Sequence, residues 1–129
     1  MNATRLIEIA RSGRLETVEL NAASATLRNA LPSLCDRLSK EVAESYLEGE
    51  ISWDDGDMAM NCLFAWAYGP EDAGLSDFAM NVFLAFDQAE FRHDQPPESG
   101  PEFHTVPRLK NALAVMAQQE ILAEDVRRN

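Results

Sequence analysis

One ten-residue line is written twice in this chain. Residues 57–66 read DMAMNCLFAW and residues 77–86 read DFAMNVFLAF. Asp, Ala, Met, Asn and Ala recur at matching places, and most remaining pairs exchange one large apolar group for another. Large apolar residues return every three to four positions in both copies, the period of a helix with one buried face. Gly69-Pro70 stops the first copy, and only a short stretch separates it from the second. Helices joined that closely pack as antiparallel neighbours. Ala59, Ala65, Ala79 and Ala85 are small enough to let the two backbones approach. Two copies are too few for a solenoid. An internal duplication and convergence on the composition of buried helices both account for the match.

Outside this pair the pattern stays helical. A first helix is expected from about Thr4 to before Gly13, with Leu6, Ile9 and Ala10 inward. A second should run from about Leu15 to Asn29, with Leu15, Val18, Ala22 and Ala25 on one face and Leu20 and Leu27 on another. Pro32 interrupts and Ser33 is placed to cap a third, from about Leu34 to Leu47, striped by Leu34, Leu38, Val42 and Tyr46. The repeated pair follows, with Met60, Leu63, Phe64 and Ala67 inward from the first copy and Met80, Phe83 and Leu84 from the second. From about residue 88 to 106 periodicity lapses around QPPESGP, which reads as a mobile Pro-rich loop. Thr105 and Pro107 open a last helix striped by Leu109, Leu113, Met116 and Ala117 and extended by Ile121 and Leu122. No segment alternates like a strand. The expected fold is all-α: one domain over residues 1–129, a compact bundle of five or six helices around the central antiparallel pair 57–66 and 77–86.

Charge is distributed unevenly. The net charge is −11; residues 51–105 hold only Arg92 against eleven Asp and Glu, a net of −10. Such a surface repels phosphate backbones, which argues against nucleic-acid binding. It attracts basic proteins and speeds their encounter. No apolar run reaches the roughly 20 residues of a membrane span. The N-terminus interleaves Arg5, Glu8, Arg11 and Arg14 with its apolar residues, unlike a secretory leader. A cytoplasmic protein is expected. Cys35 and Cys62 lie in apolar helical patterns and read as reduced thiols.

Candidate chemistry is sparse. His93 and His104 flank the Pro-rich loop beside Asp94, Glu98 and Glu102, but their spacing fits no zinc ligand pattern, and they read as exposed histidines. Asp54, Asp55 and Asp57 surround Gly56, but no distal Glu follows at calcium-loop spacing. They suit a helix first turn instead. Asp57/Asn61 and Asp77/Asn81 each share a helical face, with Asp as the cap and Asn as a packing contact. No nucleophile elbow, phosphate loop, CxxC or HExxH occurs. No catalytic residue, cofactor or metal is expected.

The resulting expectation is a non-catalytic acidic protein that meets a basic protein partner through Trp53, Asp54, Asp55, Asp57, Tyr68, Glu71, Asp72 and Asp77. Trp53 reads equally as a hot spot ringed by carboxylates and as a hydrophobic staple. An immunity protein that occludes the active site of a bacterial toxin has this general character. The alternative is an oligomerising or adaptor module that pairs through Phe78, Phe83 or Phe86, as a homodimer or with another chain. A weaker alternative is a metal protein or enzyme using the His93–His104 loop.

Overall fold

A computed structural model describes residues 2–26, 31–69, 72, 74–91 and 100–128. Among these are six α-helices: α1 Ala3–Arg11, α2 Thr17–Thr26, α3 Leu31–Leu47, α4 Trp53–Ala67, α5 Asp77–Asp87 and α6 Glu102–Arg128. A short 3-10 helix, Gln88–Phe91, continues α5, and no described residue is in a strand. The all-α bundle is therefore the fold.

The repeated lines form α4 and α5, which lie antiparallel. Gly56 at the start of α4 faces Phe86 at the end of α5, while Phe64 stacks on Phe83 at 4.3 Å between ring centroids. Many matching positions bury alike: Ala59 and Ala79, Leu63 and Phe83, Trp66 and Phe86 point inward, and Asn61 and Asn81 point out, but Asp57 and Ala85 are buried where Asp77 and Ala65 are exposed. Helix α5 is central, packing on α3, α4 and α6. It runs parallel to α3, since Asp36 meets Ser76 and Tyr46 meets Phe86 at the same offset along the chain. Phe86 is the pivot of the core. The edge of its ring meets Tyr46 at 5.4 Å, Trp53 lies at 6.1 Å, and Gly56 sits on its other side.

The α3 stripe is buried throughout, as expected. Four other expectations need correction. Helix α2 buries Leu20 and Ala23 and exposes Val18, so its second apolar line faces the core. Pro32 and Ser33 lie inside α3, because a proline in a first turn costs no ladder bond. Helices α4 and α5 are capped by Ser52 and Ser76, whose hydroxyls accept from Asp55 N and Ala79 N. Asp57 is thus no cap. It stands in the second turn of α4, whereas its counterpart Asp77 opens α5.

The fourth correction is the loop expected at 88–106. Residues 88–91 are the 3-10 helix and α6 already begins at Glu102; residues 92–99 lie outside the described set. Thr105 is one turn inside α6, where its hydroxyl donates to Ala85 O at 2.7 Å and accepts from Trp53 Nε1 at 2.8 Å. These two bonds pin α4, α5 and α6 together. Pro107 follows early enough that the helix loses one ladder bond and continues.

Candidate functional site

The expected acidic face divides in two. Helix α4 rises about 20 Å from Asp54 to Ala67. Asp54, Asp55 and Asp57 stand at its first end, and Asp72 and Asp77 lie past its other end. Glu71 is outside the described residues. Tyr68 stays beside the second group: its ring packs on Phe64 at 4.8 Å and its hydroxyl accepts from Leu75 N at 3.2 Å. It closes the connection between α4 and α5 while remaining partly exposed.

The first group is where charge gathers. Antiparallel pairing folds the end of α5 back onto the start of α4, bringing Asp87 and Glu90 beside Asp54 and Asp57. Neither Asp87 nor Glu90 was singled out from the sequence. The signal lay in the antiparallel pairing itself, which sets residues near 87 opposite residues near 57. Asp54, Asp55 and Glu90 are exposed, and Asp87 is half-buried. Asp55 diverges toward the first loop, where Gly13 packs against its Cβ.

Asp57 is not an outward charge. It is 8% exposed, Oδ1 has no hydrogen-bond partner among the described residues, and Asn61 Nδ2 reaches Oδ2 only at 3.5 Å. Burial pushes its carboxyl up to about 7; the neighbouring Glu90 carboxyl and then the charges of Asp87 and Asp54 push the same way. Desolvation and like charge both favour the protonated acid. Asp57 is therefore a buried acid, not an outward one, whereas Asp54 and Glu90 are exposed at this end.

Among the described residues no Lys or Arg pairs with Asp54, Asp55, Asp57, Asp87 or Glu90. Arg11 instead spans Glu41, Glu48 and Glu50 at 2.7, 2.7 and 3.0 Å, and Arg37 closes on Glu41 at 2.8 Å. That network joins α1 to α3 on another part of the bundle.

Trp53 is half-buried, with its ring near Phe86 and its N–H on Thr105. It anchors the start of α4 and leaves only part of its surface next to Asp54. Among the described residues no three His, Cys, Asp or Glu side chains are placed to share a metal ion. His104, expected in an exposed loop, is 1% exposed in the first turn of α6; His93 lies outside the described residues. Cys35 is buried, and its thiol is pushed up to about 11 by burial and then by Asp36. Cys62 is half-buried, 3.7 Å from Thr17 Oγ1, and both cysteines are free thiols.

Compared with protein-family models, curated proteins and solved structures, the chain matches none. Among the described residues no helix is long and apolar enough to cross a membrane.

Proposed function

We propose that this is a non-catalytic acidic binding protein whose target is a basic protein surface. The observation that carries the reading is the end of the α4–α5 pair, where among the described residues no Lys or Arg pairs with the gathered carboxylates. Asp54, Asp87 and Glu90 surround a carboxyl that is itself forced toward its neutral form, while Arg11 and Arg37 are committed elsewhere. A lysine or arginine brought by a partner relieves that repulsion and gains charge-assisted hydrogen bonds. Outward carboxylates also steer a positive surface into encounter. Half-buried Trp53 adds an aromatic edge for the stem of an incoming cationic side chain.

In its most specific form the partner is a toxin with a basic active site, occluded by an immunity protein. The test is association with the product of the adjacent gene. The triple variant Asp54→Asn, Asp87→Asn, Glu90→Gln should slow the on-rate about tenfold at low ionic strength and flatten its salt dependence. An unchanged on-rate would overturn steering by this end. Failure of the protein to protect cells making that gene product would overturn the immunity reading alone.

The alternative of pairing through α5 is disfavoured by burial. Phe83 and Phe86 are in the core and Phe78 is half-buried.

A further inference from the structure

Helix α6 outruns the bundle. Its 27 residues span about 40 Å. Contacts with the core end near Leu113 and Met116, and residues 117–128 are all exposed. Helical turns without tertiary burial are marginal in water, so this arm lacks the packing that usually holds a helix. Four large apolar side chains of the arm are exposed, Val115, Ile121, Leu122 and Val126, and all but Ile121 share one line. Val115, Leu122 and Val126 are 46%, 54% and 75% exposed, and with Gln119 they follow a four-three-four spacing. That is the spacing of a two-stranded coiled-coil seam, with Gln119 filling one of its four positions.

We propose that this seam pairs with the same seam of a second copy, forming an antiparallel homodimer. The reading is independent of the acidic end and of any toxin. Antiparallel pairing sets Val115 against Val126 and Gln119 against Leu122, twice over. It places Asp125 beside Gln118, with no like charges facing. Charge decides the direction. Parallel arms would bring together two copies of the segment that carries −10 and would set Arg127 and Arg128 against their own duplicates. Antiparallel arms separate the two acidic bundles.

The arginines also find an acid. Asn81 on α5 lines one groove with Asn111 and Ala112 on α6. Thr105 meets Ala85 while Asn111 and Ala112 share the groove with Asn81, so α5 and α6 run antiparallel and that register, carried one turn further, directs Asp77 toward Val115. In the antiparallel register Arg127 and Arg128 of the second copy reach Ala114 and Leu113, in that same turn. Exposed Asp77 thus gains a cationic neighbour.

Two short arms bury less than the roughly 1,200 Å² of a standard interface, so a weak, concentration-dependent dimer is expected. Sedimentation equilibrium of the full chain should show that dimer. Leu122→Glu with Val126→Glu should weaken it at least tenfold and leave unfolding of the monomer unchanged, because both side chains are already in water. A wild-type chain that stays monomeric at about 100 µM overturns the proposal. So does a dimer that survives the double variant but is lost in Phe78→Glu, which places the contact on α5. In a Cys62→Ser background, Val115→Cys and Val126→Cys chains should cross-link to each other faster than either to itself. Preferential self-linking of Val126→Cys means parallel arms and overturns the register.

Discussion

Gly56 and Asp57 are adjacent in sequence, yet different forces govern them. A Cβ on Gly56 would sit 2.6 Å from Cε1 of Phe86. Alanine normally favours a helix interior over glycine by about 1 kcal/mol. Here the clash falls on a ring already fixed by Tyr46 and Trp53, so Gly56→Ala should destabilise by about 1–3 kcal/mol in chemical denaturation. Asp57 has the opposite prospect. Its folded carboxyl titrates near 7 and its unfolded one near the ordinary 3.8. Between these values the folded state binds the extra proton, so stability from this group is full at low pH and is lost as pH rises through 7. Asp57→Asn should flatten that fall and, at pH 8, stabilise by about 1–3 kcal/mol. Midpoints measured from pH 4 to 8 check this; a wild-type curve that rises toward pH 8 in parallel with the variant's would contradict it.

At the scale of elements, two polar devices decide how the helices are joined. Thr105 links α6 to α4 and α5 through its single hydroxyl. Thr105→Val keeps the shape but strands the Trp53 N–H and the Ala85 carbonyl, at a cost of about 1–3 kcal/mol in unfolding free energy. Arg11 ties α1 to α3 through Glu41. Burial alone would raise the Glu41 carboxyl, but hydrogen bonds from Arg11 and Arg37 outweigh it and hold the acid below its usual range. A depressed acid contributes stability that is present above its unfolded value near 4.5 and lost as pH falls through its folded value. Arg11→Met should therefore destabilise at pH 7 and do so less below pH 4. Thermal melts at both pH values read the difference.

For the whole molecule, the acidic excess in residues 51–105 works against compactness. Modest salt should raise the melting temperature, and the triple neutral variant of the acidic end should be less sensitive to it. If salt instead lowers the melting temperature, the Arg11 network dominates the electrostatics and self-repulsion at the acidic end is minor. The number and type of helices were legible in the sequence because periodic apolar residues, stop signals and a short connection are all local. The face that α3 buries was legible for the same reason: Leu34, Leu38, Val42 and Tyr46 form one unambiguous stripe. Helix α2 carried two stripes, and only packing against α1 and α4 chose the one with Leu20 and Ala23. A period likewise cannot tell where a bundle ends, so Ile121 and Leu122 read as core and stand in solvent. Local sequence determined the all-α class, the antiparallel pair and the sign of the surface. Tertiary structure alone decided which carboxylates gather. Asp57 entered the interior and Asp87 and Glu90 joined it because the end of α5 folds back over the start of α4, and electrostatic neighbours are set by distance in space.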